Sequence, residues 1–189
     1  IRDDILTEWG RIDILVNGAG GTTAAATISP GKTIFDMPLD PMREVIDLNL
    51  IGTLLPSQVI GEVLARQGAG SIVNISSMNA QRALTRSMAY SAGKAGIDNF
   101  TKWLAVELAT TLGEGLRVNA IAPGWFLSEM TAEDMFGDDA SMDFVRRNTP
   151  MGRPGSEHEL DGALIFLASD ASTYMTGQIL AVDGGWVAR

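Results

Sequence analysis

The chain has 189 residues, enough for one domain with a sizeable core and too few for two. A formal net charge of −9 argues against a nucleic-acid partner, which needs a cationic surface, and against docking on an anionic membrane. Cysteine is absent, which excludes disulfides and thiolate chemistry, and no run of about 18 apolar residues suggests a membrane span.

Residues 1–9 read as the end of a helix that closes at Gly10, which suits a left-handed C-terminal cap. A chain that opens on half a helix without an initiator methionine is expected to continue a preceding segment. Residues 12–16 are continuously apolar, as a parallel strand covered on both faces requires, and 71–76, 117–122 and 178–182 resemble them. Helical periodicity covers 41–66, with Asp40 as its cap and Pro41 in its first turn, then 89–112 with Gly113 after it, then 157–168. Ser156 and Glu159 stand at capping-box spacing before the last of these. Strand and helix alternating in this way predict an α/β fold, a doubly wound parallel sheet of about four strands. Residues 20–39 read as a loop. Residues 125–153 are acidic and rich in Met, without a strong period, and are too long for an ordinary connection; a lid, a binding loop or a disordered stretch is expected there.

In an open parallel sheet, ligands bind outside the carboxyl ends of the strands. Those ends carry Asn17-Gly-Ala-Gly20, then Ser76 and Ser77, then Pro123 and Gly124. The sharper signal is Tyr90 with Lys94, four apart and therefore on one helical face. Bringing a phenol from about 10 to near 7 takes about 4 kcal/mol of differential stabilisation, much of which a neighbouring ammonium in a water-poor pocket supplies. The product is an acid/base poised near operating pH.

Taken together, SIVNISS over 71–77, Tyr90-x-x-x-Lys94 and RVNAIAPG over 117–124 resemble the short-chain dehydrogenase/reductase family. DILVNGAG over 13–20 is similar to that family's Asn-Asn-Ala-Gly segment, with Gly18 in place of the second Asn, and GQILAVDGG over 177–185 is similar to its last strand. The resemblance implies a Rossmann-like fold, NAD or NADP as cofactor, a small-molecule substrate, a cytoplasmic location and a homodimer or homotetramer formed through the two long helices. No metal is expected. It assigns catalysis to Asn49, Ser77, Tyr90 and Lys94. Tyr90 exchanges the proton, Lys94 lowers its pKa and holds the nicotinamide ribose, Ser77 holds the substrate oxygen, and Asn49 holds a relay water. Cofactor contacts fall to Asn17, Ala19, Gly20, Tyr90, Lys94, Pro123, Gly124 and Ser128, the last a Ser where the family usually has Thr.

The family's opening strand and glycine-rich turn, which cradle the pyrophosphate at a helix N-terminus, have no counterpart here. The chain therefore reads as the C-terminal two-thirds of a single domain spanning 1–189, with about 70–90 residues expected ahead of it. The NAD-or-NADP choice is made mainly in that part. Within the family, GTLLPSQ over 52–58, SMNA over 77–80 and NTPMGR over 148–153 are similar to the branch that interconverts D-mannonate and D-fructuronate. A sugar-acid carboxylate calls for an Arg fork, with Arg82, Arg86, Arg146, Arg147 and Arg153 as candidates and Asn79 as a polar contact. His158 reads as a surface residue. Two rival readings stay open: a dehydrogenase of another polyol or sugar, and a non-catalytic dinucleotide-binding or truncated association module. Loss of turnover in Tyr90→Phe discriminates against the second.

Overall fold

The structure is a computed structural model that describes residues 1–127 and 138–189. Four strands, β1 (Ile14–Asn17), β2 (Gly70–Ile75), β3 (Leu116–Pro123) and β4 (Ile179–Val182), form one parallel sheet in the order β1-β2-β3-β4. Register aligns Asn17 with Asn74 and Asn74 with Ala120, so the polar carboxyl ends lie side by side.

The helices are α1 (Arg2–Trp9), α2 (Leu39–Ile46), α3 (Gly52–Gln67), α4 (Met78–Gln81), α5 (Met88–Leu112), α6 (Asp139–Asn148) and α7 (Asp161–Ala168). They cover both faces of the sheet. Leu64 of α3 and Ala105 of α5 pack on Ile72, Leu116 and Val118, while Leu167 of α7 packs on Val73 and Ile121 of the opposite face. Adjacent Ile72 and Val73 thus face opposite layers, the period-two alternation of a strand buried on both sides. The doubly wound α/β class follows. Arg117, buried on β3, donates to Leu167 O at 3.0 Å and Ser169 O at 3.1 Å, placing a cation at the carboxyl end of α7 where the helix dipole favours one.

The boundaries hold with instructive differences. Gly10 caps α1 at φ 74°, and the Ser156–Glu159 capping box is present. Asp40, however, is not a cap: the helix starts at Leu39 behind Pro38, and Asp40 lies in its first turn, where a carboxylate also suits the dipole. Nor is the 41–66 helix uniform. A π-helical turn, Asp47–Ile51, joins α2 to α3, with Pro56 inside α3 one turn further on. Among the described residues one run, Leu39–Gln67, is long and apolar enough to cross a membrane by length and composition. Its inner face packs on the sheet through Leu64 and carries the buried Asn49, Thr53 and Ser57. The 125–153 segment contains α6, and Phe126 bridges Gly155, bringing the two ends of the segment together. The Gly-rich loop 20–39 holds two short 3-10 turns, Ala24–Ala26 and Ile34–Asp36.

Candidate active site

At about 1.5 Å per residue, α5 is long enough to run the depth of the sheet. Its buried stripe is Ala89, Gly93, Lys94, Ile97, Thr101 and Ala105, the spacing of one helical face, and Tyr90 stands at its upper edge. Ser87 is the N-cap residue, so the helix begins one turn before Tyr90.

Lys94 is buried, its Nζ donating to Ile75 O at 2.7 Å and lying 5.6 Å from the Tyr90 ring centroid. Burial pulls its pKa from 10.5 down to about 8, with the Asp98 carboxylate pushing the other way. Ser77, the residue capping α4, accepts from Asn79 N at 3.2 Å, and its hydroxyl draws the Tyr90 pKa downward. Among the chain's own groups, Tyr90 departs from the expectation drawn from the Lys94 spacing. Burial raises its pKa above the ordinary phenol value, and only the Ser77 hydroxyl pulls it down. The lysine, held by a backbone carbonyl, does not overcome the desolvation.

Asn49 sits fully buried in the π turn. Its Nδ2 donates to Gly21 O and to Val45 O, both at 2.7 Å, and its Oδ1 accepts from Gly21 N at 3.1 Å. Thr53 Oγ1 donates to Asn49 O at 2.9 Å, giving a carbonyl in the widened turn a partner. The asparagine therefore fixes the loop that carries Gly20. A Cβ at Gly20 would lie 2.7 Å from Asn49 Oδ1 and 3.0 Å from Lys94 Nζ, so glycine lets this backbone pass over both groups without displacing either. Gly124 is similarly required, since a Cβ there would meet Asp183 Cα at 2.6 Å.

The remaining expectations divide. Ala19 is exposed at the mouth of the strand ends, and Pro123 and Gly124 stand half-buried at the end of β3. Asn17 is buried, its Nδ2 bonded to Ser57 Oγ and Asn74 Oδ1 at 2.8 Å each, so it supports the turn from beneath. Ser128 lies outside the described residues. Four of the five candidate arginines are engaged elsewhere. Arg146 and Arg147 pair with Asp143, Arg153 forks onto Glu159 at 2.7 and 2.8 Å, and Arg82 donates to Trp186 O at 2.8 Å while stacking on its ring. Asn79 reaches the site through its backbone N–H on Ser77.

Beside the start of α5 lies a cavity of about 800 Å³, walled by Thr22, Thr23, Thr27, Arg86, Ser87 and Ser141 among others. Neither Tyr90 nor Ser77 lines it; it adjoins them through Ser87 and through the loop after Gly21. Trp125 and Phe144 form its apolar side, in edge contact at 6.3 Å.

Two features escaped the sequence reading. Ser76 Oγ bonds the Asp98 carboxylate one turn beyond Lys94, tying the strand end beside Ser77 to the lysine's helix. Asn49, Thr53 and Ser57 also form a line of side-chain-to-carbonyl bonds that ends on Asn17, and their four-residue spacing was legible as a polar face on an otherwise apolar helix.

The donor set suits a nicotinamide dinucleotide: small residues at the ends of β1 and β3 let a flat ligand reach the backbone, and the Lys94 ammonium lies 5.6 Å from the Tyr90 ring. Comparison with known proteins agrees. A family model described as enoyl-(acyl carrier protein) reductase matches residues 1–187. An uncharacterized oxidoreductase of Haemophilus influenzae is 42% identical over 204 aligned positions, covering 100% of this chain and 70% of its own length. A crystal structure from Haemophilus influenza with bound NAD, provisionally assigned as a D-mannonate oxidoreductase, superposes with a TM-score of 0.86 at 41% identity, covering 99% of this chain and 71% of its own. A gluconate 5-dehydrogenase from Burkholderia cenocepacia J2315, in complex with NADP and tartrate, gives 0.87 at 33% identity over 99% of this chain and 69% of its own. With the parallel sheet, the Ser77–Tyr90–Lys94 grouping and these relatives in agreement, the chain belongs to the short-chain dehydrogenase/reductase family of oxidoreductases.

Proposed function

We propose that the protein moves a hydride between NAD or NADP and the alcohol or carbonyl carbon of a sugar acid, with D-mannonate and D-fructuronate the leading pair. The observation that carries the reading is the buried Lys94 ammonium, 5.6 Å from the Tyr90 ring, in the same region as Ser77 at the start of α4. The bound nicotinamide supplies or accepts the hydride. Tyr90 gives its proton to, or takes it from, the substrate oxygen. Ser77 donates to the same oxygen, steadying charge as it develops. Lys94, protonated, favours the phenolate and stands ready to hold the ribose. Asn49 keeps the Gly20–Gly21 backbone in the position that leaves room for both. Gly20, Ala19, Pro123 and Gly124 line the cofactor's path, and Ser128 completes it.

Sugar-acid substrates are supported by the two relatives named above and by the hydroxyl-lined pocket. The chain is read as the C-terminal part of one catalytic domain, with 125–153 closing over the substrate. The expected location is the cytoplasm. The test is turnover of D-mannonate and D-gluconate with each cofactor. Tyr90→Phe is expected to lose 10²- to 10⁴-fold in kcat while melting like the wild type; an unchanged kcat would sink the mechanism.

A further inference from the structure

Arg86 differs from the other arginines on three counts. It lines the cavity. It forms no ion pair, and neither of its terminal nitrogens has a partner among the described residues. Its backbone is also the only non-glycine one among them in the left-handed region, at φ 80°. Such a conformation persists only where the surroundings over-determine it, and strain of this kind gathers at ligand clamps. The constraint is visible: Ile28 N donates to Arg86 O at 3.0 Å, and Arg86 Nε donates to Ile28 O at 2.9 Å. The strap holds the inner nitrogen of the guanidinium and leaves the outer pair to a ligand.

The rest of the wall is suited to hydroxyl groups. Thr22, Thr23, Ser87 and Ser141 line it, with a single acid, Asp138, which caps α6 by accepting from Ser141 N at 2.7 Å. The backbone N–H of Ser141 holds that carboxyl below its usual range, so it remains an acceptor for sugar hydroxyls. One cation, one anion and a ring of hydroxyls match a polyhydroxy carboxylate. Four residues separate Arg86 from Tyr90, a span of at most about 14 Å, and Ser87 between them caps the tyrosine's helix. An acid group held at Arg86 therefore has a defined distance from the reacting carbon.

We propose that Arg86 is the carboxylate anchor of this pocket, gripping the acid group of a polyhydroxy acid through its two terminal nitrogens. The proposal rests on the sugar-acid reading and selects one residue for it. The experiment uses the natural full-length protein, with D-mannonate, D-gluconate and the neutral polyols mannitol and sorbitol as probes. It compares the wild type with Arg86→Gln and Arg86→Gly. Glycine relieves the φ strain, so that variant is expected to melt no lower than the wild type. Both variants are expected to raise KM for the acids about tenfold to a hundredfold, with kcat nearly kept. An unchanged KM for the acids, or a loss in kcat alone, would overturn the anchor and leave the sugar-acid reading standing. A wild type that oxidises the polyols but neither acid would overturn both.

Discussion

Lys94 carries a charge that its burial opposes, and that opposition has a pH signature. Its pKa is about 8 in the fold against 10.5 for the free side chain, so between those values the unfolded chain binds more protons than the native one. The group therefore costs stability at neutral pH, and that cost falls away as pH rises from about 8 toward 10.5. Lys94→Met is expected to abolish turnover and to flatten the dependence of stability on pH across this window, as read from urea melts at pH 7.5, 9 and 10. Asp98 works in the opposite direction by raising the lysine's pKa, and it also holds Ser76 beside Ser77. The charged or titratable groups around the ammonium are Asp98 and Tyr90. Asp98→Asn is expected to shift the limb of the pH–rate profile that Lys94 governs to lower pH, with Asp98→Glu restoring it. A purely structural Asp98 would lower the rate at every pH alike. Tyr90 and Lys94 were legible from spacing because helix period is local, and Ser77 was legible through the family resemblance. The choice of Arg86 among five arginines was not, since it depends on a strap between residues 58 apart in sequence.

The joint between α2 and α3 shows how one element serves the site. A π turn widens the helix at Asn49, Thr53 supplies the partner for its carbonyl, and the asparagine side chain turns outward to hold Gly21. The 41–66 periodicity made one helix of it, because an extra residue in a single turn hardly disturbs an apolar pattern. Gly20 is the counterpart of Asn49 on the loop. Gly20→Ala pushes on the ends of two side chains rather than on backbone, so it is expected to cost about 1 kcal/mol or less in stability. It displaces the Lys94 ammonium, however, and kcat is expected to fall at least tenfold. Core packing responds differently. Leu64 is fully buried between α3 and the sheet, and Leu64→Ala is expected to lose about 2–5 kcal/mol in a denaturant melt. The 125–153 segment was the least legible part. Its charged helix, α6, owes its place to Trp125, Phe144 and Trp186 meeting from three distant stretches.

For the whole molecule, the outward faces of the two long helices are apolar. Leu55 and Val59 on α3, and Trp103 and Val106 on α5, are each more than 40% exposed. Soluble monomers rarely leave such contiguous patches, so association through these helices is the expected use. Trp103→Glu combined with Val106→Glu is expected to lower the native mass of the full-length protein, measured by light scattering, toward that of one chain. An unchanged mass would place the interface elsewhere.

By itself the sequence determined the layered α/β class, the four strands within two residues of their observed ends, and the placing of Tyr90 and Lys94 on one helical face. All of these follow from patterns repeating every two or 3.6 residues, which a linear reading can register. Tertiary structure decided that Asn17 supports the site from beneath, that Tyr90 is desolvated more than it is assisted by Lys94, and that Arg86 alone of five arginines lines the cavity. Each of these outcomes is a balance of burial against a partner that lies far away in the chain, and the partner exists only after the sheet has brought the strand ends together.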